Sequence, residues 1–291
     1  PALCPSGKMA RPKEQNMRFL RTVGLPCCLC FYSSLAVAHG QAASSIATAG
    51  PAASRTVRLA AEDWPPFISR SLPADGMSGA MVSAIFERLG YAVKYEYFPW
   101  KRAMQFGLGS PRYAGLLAVW RTPEREKLCH FSVPIGNTQG VLAYLKEDGA
   151  PGATLAELGK LRIGTVAGYS NGEQFDGMVA RGQLRTEEGL NDATNLRKLL
   201  IKRYRVIVIE RHVLQQLLMG RGFSKADRDR IAVVDTLFKE RSVHVCFQRS
   251  AEGAAQQKRF NEAARDVDTA RLERDYWKRL DQSLAAAPAE P

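Results

Sequence analysis

The sequence predicts an α/β protein built as two consecutive lobes, each a central sheet flanked by helices. Three observations carry this. Strand-like and helix-like apolar patterns alternate along residues 56–119, and the alternation resumes along residues 161–247. Residues 113–119 and 206–210 are almost unbroken apolar runs, the mark of strands covered on both faces. The two alternating blocks are joined around residues 132–137, so the second reads as a new unit rather than an extension of the first.

Residues 56–60 alternate as a first strand. Trp64-Pro65-Pro66-Phe67 then forms a loop, since neither proline fits inside a sheet ladder. Over 79–89, Met81, Val82, Ile85, Phe86 and Leu89 share one helix face and Gly90 ends it. Residues 92–98 alternate as a second strand, 100–108 form a short helix after Pro99, and 113–119 are the buried third strand. In the second block, 161–166 are a strand and 170–181 a helix opening on a Gly-rich turn. Residues 206–210 are a buried strand, 212–219 a helix, and 231–235 and 242–247 strands. Helices over 251–267 and 269–280 close the chain.

The 291 residues are 45% hydrophobic and 24% charged, which excludes a disordered chain and a multi-span membrane protein. Residues 1–54 stand apart. Arg18 and Arg21 precede an apolar stretch at 23–37, and Ala36-Val37-Ala38 supplies a small-x-small cleavage site. That is the layout of a secretory signal peptide followed by a linker, and it gives a secreted address. Gly24 and Pro26 oppose the alternative of an ordinary buried helix. Cys4, Cys27, Cys28 and Cys30 fall in this segment, leaving Cys129 and Cys246. In an oxidising compartment that pair reads either as one disulfide or as two independent buried thiols.

Motifs for catalysis are missing. His130, His212 and His244 are isolated, with no metal-ligand spacing, and read as hydrogen-bonded structural residues. There is no nucleophile elbow, dinucleotide fingerprint or P-loop, so no cofactor and no metal is expected. Gly164-Thr165-Val166-Ala167-Gly168 reads either as a helix N-terminus offering N–H groups to an anion or as a simple tight turn. The net charge of +12 is scattered, as at Arg197/Lys198 and Arg228/Arg230, and matches no nucleic-acid motif.

Four stretches together resemble the periplasmic solute-binding proteins of family 3, the polar amino-acid type that feeds ABC transporters. They are Trp64-Pro65-Pro66-Phe67 after the first strand, Thr122-Pro123-Glu124-Arg125 with Phe131-Ser132 and Pro134, residues 155–169, and Tyr276-Trp277-Lys278. Pro99-Trp100-Lys101-Arg102-Ala103 marks a divergent branch. The resemblance spans about 56–280 and implies the type II periplasmic-binding-protein fold, two lobes joined by a two-strand hinge near 132–138 and 239–243. The expected organisation is signal peptide and linker at 1–54, lobe 1 at 55–134 and 243–284, lobe 2 at 135–242, and a tail at 285–291. Both Cys129 and Cys246 would then sit on lobe 1, which favours the bridge.

The resemblance also implies a site. Arg125 would hold a ligand carboxylate, because a planar guanidinium matches two oxygens. Ser170 and the N–H groups around it would complete an anion site from lobe 2. Trp64, Phe67 and Trp100 would wall the pocket, and Glu210 would meet an ammonium. Ala118 and Trp120 stand where the family has small or hydroxyl residues, and Ser83 where it has Asp. The bulk of Trp120 predicts a smaller pocket, or one tuned to an aromatic or extended partner.

The function expected is therefore capture of a small amino acid or organic acid by cleft closure, without catalysis. A monomer would deliver the solute to an inner-membrane permease, with no nucleic acid involved. Two alternatives are a secreted dehydratase-like enzyme using Glu210 or Glu173 as acid or base, and an orphan sensory ligand-binding module.

Overall fold

The computed structural model describes residues 55–285; the expected signal peptide and linker lie outside them. The chain runs β1 (Arg55–Ala61), α1 (Met77–Arg88), β2 (Tyr91–Tyr97), α2 (Trp100–Gly109), β3 (Gly115–Trp120), α3 (Pro123–Glu126), β4 (Cys129–Phe131) and β5 (Asn137–Thr138). It continues through β6 (Gly140–Leu145), β7 (Arg162–Val166), α4 (Glu173–Ala180), β8 (Arg185–Gly189), α5 (Asp192–Leu200), β9 (Val206–Glu210), α6 (Arg211–Met219), α7 (Lys225–Arg230) and β10 (Ile231–Val234). It closes with β11 (Arg241–Gln248), α8 (Ala251–Ala264) and α9 (Thr269–Ala285).

Two sheets result. The first has the order β2-β1-β3-β11-β4, with β5 also paired to β11; the second has the order β10-β6-β9-β7-β8. In the first, β1 pairs in parallel with β2 and β3, as crossover helices α1 and α2 require, while β11 returns antiparallel beside β3. The all-buried run of β9 sits between β6 and β7, which explains its lack of polar alternation. Asn137–Thr138 and Arg241–Ser242 pair antiparallel where the chain passes between the sheets.

Several boundaries differ from the sequence expectation. The helix expected from 170 begins at Glu173, because Gly172 lies at φ +103°, outside the helical region. The helix expected to 267 ends at Ala264, and the last helix continues through Ala285, into the expected tail. Strands β6 and β8 and helices α5 and α7 were not anticipated. Asn191 and Ser224 cap these two helices, accepting from the N–H groups of Thr194 and Asp227.

The apolar face of α1 buries Met77, Met81, Val82, Ile85 and Phe86. Helix α1 packs against α8 and α9, and Phe260 and Tyr276 belong to the same core. The Tyr276 hydroxyl donates to the Pro66 carbonyl at 3.4 Å, so the closing aromatic helix braces the Trp64–Phe67 loop. Cys129 and Cys246 form a disulfide between β4 and β11, with Cα atoms 5.5 Å apart. Among the described residues no helix is long and apolar enough to cross a membrane.

Candidate functional site

The site gathers where β1 and β3 end. Past β1 the chain places Glu62 and then Trp64, whose bridge to Ile68 closes a tight turn. At the end of β3, Ala118 adopts φ +58°, an unusual left-handed conformation for a residue with a Cβ. Trp120 follows, and Thr122 caps α3 by accepting from the Arg125 N–H at 3.2 Å, with Pro123 in the first turn. The short helix thereby turns Arg125 inward, where only 6% of its surface is exposed.

The Arg125 guanidinium donates to the Trp120 carbonyl at 3.0 Å and, across to the second lobe, to the Gly168 carbonyl at 3.2 Å. Its carbon lies 5.3 Å from the Trp100 ring centre. Burial pushes its pKa down, opposed chiefly by the charge of Asp176. Trp100 opens α2 after Pro99, and its Nε1 donates to the same Gly168 carbonyl at 2.9 Å. Gly168 is needed there: it lies at φ +79°, and a Cβ would come within 3.2 Å of the Trp100 ring.

Tyr169, on the turn between β7 and α4, enters the first lobe. Its hydroxyl donates to Glu62 Oε2 at 2.6 Å. Its ring stands edge-on to Trp64, Trp100 and Trp120, with centroids 6.4, 5.7 and 5.6 Å away. Trp64 Nε1 donates to Asp192 Oδ2 at 3.2 Å, a further contact between lobes. A space of about 20 Å³, room for about one water, remains among Trp64, Trp100, Ala118, Trp120, Arg125 and Tyr169. A larger one of about 550 Å³ also borders Trp120 and Tyr169 and reaches Asp192, Glu210 and Arg241.

Electrostatically the site combines buried acids with buried cations. Desolvation raises the Glu62 carboxyl to about 8, against the Tyr169 hydrogen bond and with the help of Asp192. Desolvation also raises Asp192 to about 7, with Glu210 adding and the Trp64 N–H opposing. Arg241 lies 4.0 Å above the centre of the Trp120 ring and donates to the Ser170 carbonyl at 2.7 Å. Burial pushes its guanidinium down to about 10.

Trp64, Trp100, Ala118, Trp120 and Arg125 thus share one space. Three other expected site residues do not join them. Phe67 is fully buried behind Trp64, stacked on it at 4.6 Å and packed edge-on against His212 and Trp277. Ser170 precedes α4 and donates to Asp176 Oδ2 at 2.7 Å, and the Asn171 N–H also ends on Asp176. The anion-binding groups expected there are therefore occupied by a carboxylate of the helix itself. Glu210 caps α6, accepting from the N–H groups of Val213 and Gln139 and contacting His212 Nδ1, and it borders only the larger space. Of the acids considered for catalysis, Glu173 is exposed at the start of α4.

Glu62, Tyr169, Asp192 and Arg241 were not anticipated. Glu62 is two residues before Trp64 and Tyr169 adjoins Ser170, so adjacency was the available signal. Asp192 opens an unanticipated helix, and Arg241 lies in the expected hinge without any mark in its own neighbourhood.

Two sheet-and-helix lobes with the chain crossing between them twice define a type II periplasmic-binding-protein fold. Residues 57–279 match the model of bacterial extracellular solute-binding proteins, family 3, and the chain belongs to that family. Solved structures agree on the fold. An ancestral arginine-binding protein bound to arginine superposes with a TM-score of 0.63 at 16% identity, over 77% of this chain and 97% of that one. The GluR0 ligand-binding core from Nostoc punctiforme in complex with L-glutamate gives 0.63 at 16% identity, over 77% and 98%. A histidine kinase sensor domain with similarity to periplasmic binding proteins gives 0.65 at 17% identity, over 77% and 95%. The sequence matches no curated protein.

Proposed function

We propose that this protein captures a small carboxylate-bearing solute between its lobes, in the periplasm and without catalysing a reaction, and delivers it to an ABC permease. One observation carries the reading. Arg125 is buried at the meeting of the lobes, and the bonded ends of its guanidinium rest on carbonyl oxygens rather than on a carboxylate. Burying a guanidinium whose hydrogen bonds end on neutral carbonyls is costly, even with the charge of Asp176 acting on it, and a ligand carboxylate in place of the Gly168 carbonyl would pair it directly. Such a ligand breaks the Arg125–Gly168 bond between the lobes, so it favours the closed form only through contacts it gains on the second lobe, because only a differential interaction can shift that balance.

The sensory alternative rests on the fold shared with the histidine kinase sensor domain; it keeps the same ligand site and changes only the partner. The dehydratase alternative loses the two acids first considered for it, since Glu210 is committed to capping α6 and Glu173 is exposed, and would have to use Glu62 or Asp192. The test is ligand-induced stabilisation in Arg125→Ala. Wild type should gain melting temperature with carboxylate ligands and the variant should not; an equal gain in both removes Arg125 from the site.

A further inference from the structure

Three of the four tryptophans in the chain line one small space, and what fills the centre of that indole box is a side chain of the protein itself. The Tyr169 ring meets all three indoles edge-on, the arrangement that aromatic quadrupoles favour. Immediately before it, the Gly168 carbonyl oxygen takes two polar donors of the wall, Arg125 Nη2 and Trp100 Nε1. The pair therefore presents a ring to the box and an oxygen to the guanidinium. It sits on a turn rather than inside a helix or strand, so both groups can withdraw as the lobes part without unfolding an element.

We propose that the ligand is an aryl carboxylate, its ring replacing that of Tyr169 among the three indoles and its carboxylate replacing the Gly168 carbonyl on Arg125 and Trp100. The inference rests on the solute-binding reading above and names the chemical class of the solute. Glu62, where the Tyr169 hydroxyl now ends, would receive a ring hydroxyl. Ile68 and Leu117 complete an apolar lining.

The cations of the site argue against a ligand with a positive side chain. Arg125 already lies over the Trp100 ring, and Arg241 over Trp120. At Trp100 and Trp120, two of the three indoles, the positions where the ring face would attract a ligand cation are taken by guanidiniums. An arginine side chain would be repelled, whereas a neutral ring would not.

The experiment titrates the full chain and Tyr169→Ala with L-tyrosine, 4-hydroxyphenylacetate, L-arginine and L-glutamate, read by calorimetry and by indole fluorescence. In wild type the two aryl carboxylates should bind at least about tenfold tighter than the other two probes. Removing the internal competitor should raise aryl affinity by about tenfold more, because a binding-competent state that is scarce weakens apparent affinity in proportion. Tighter binding of L-arginine or L-glutamate overturns the aryl assignment and leaves the solute-binding reading standing. An aryl preference that Tyr169→Ala does not improve overturns the replacement of Tyr169 by ligand. If neither protein binds any of the four, the carboxylate site and this inference fall together. Should Tyr169→Ala not fold, the wild-type ranking decides.

Discussion

The Tyr169 hydroxyl of the second lobe donates to the Glu62 carboxyl of the first at 2.6 Å, inside a box of three indoles. An acid whose pKa is raised to about 8 by burial is neutral at pH 7, and this makes the closed contact sensitive to pH.

Between the ordinary value of 4.5 and about 8, Glu62 keeps its proton when folded and loses it when unfolded. The native state binds more protons, so stability is fully present below about 4.5 and declines as pH rises through 8. Asp192 acts in the same direction between 3.8 and about 7. His244, kept neutral by burial, opposes both as pH falls below its ordinary 6.5. The clean window is therefore pH 6.5 to 8, where the melting temperature should fall with rising pH. Glu62→Gln, which stays neutral, should flatten most of that slope. A wild-type melting temperature that holds or rises across this window would show Glu62 to be ionised in the folded protein.

Trp100 touches both lobes, standing beside Arg125 and donating to Gly168. Trp100→Ala should weaken binding of the carboxylate ligand by about 1–3 kcal/mol, the range for a buried aromatic anchor. Trp100→Phe keeps a ring and loses the N–H donor, so it should cost about 1 kcal/mol, the net worth of a typical hydrogen bond. Calorimetric affinities equal to wild type in both variants would assign Trp100 to packing alone.

Phe67 separates pocket from core. It has the aromatic neighbours of a wall residue but lies behind Trp64, wedged against His212 and Trp277. Phe67→Ala should cost about 3–5 kcal/mol of stability, as for buried phenylalanines generally. Phe67→Leu should cost less and leave ligand affinity within about twofold of wild type, that is within about 0.4 kcal/mol. A selective loss of affinity in Phe67→Leu, with the melting temperature preserved, would return Phe67 to the pocket.

These residues also show how far the sequence could be read. Period and Gly/Pro punctuation located the strands that end at Ala61 and Trp120 and the helix that opens at Trp100, because each depends on local pattern. That Phe67 and Glu210 lie outside the small indole-lined space was not legible, because adjacency in sequence does not say which side of a turn, or which helix terminus, a side chain serves. Strand β8 (Arg185–Gly189) escaped because four of its five residues are Arg, Thr or Glu, at the edge of its sheet. Tyr169, Glu62 and Asp192 acquire their roles only when the lobes meet. Their burial, and so their chemistry, is set by residues up to 128 positions away.

The disulfide lies where the chain leaves the first sheet and where it returns. Cys129 is on β4 and Cys246 on β11, 117 positions apart, and the whole second sheet is strung between them. A crosslink closing a loop of that size removes much unfolded-chain entropy, about 4–5 kcal/mol in the loop-closure model and commonly 2–5 kcal/mol when measured. Cys129→Ser/Cys246→Ser should therefore lower the melting temperature by several degrees. Both sulfurs are buried among Trp100, Leu116 and Val119, near but not in the indole box, so ligand affinity should be retained. Wild type titrated with a reductant should follow the double variant. Equal melting temperatures for the oxidised and reduced proteins would mean that the bridge constrains nothing that the hinge pairing of Asn137–Thr138 with Arg241 and Ser242 does not already hold.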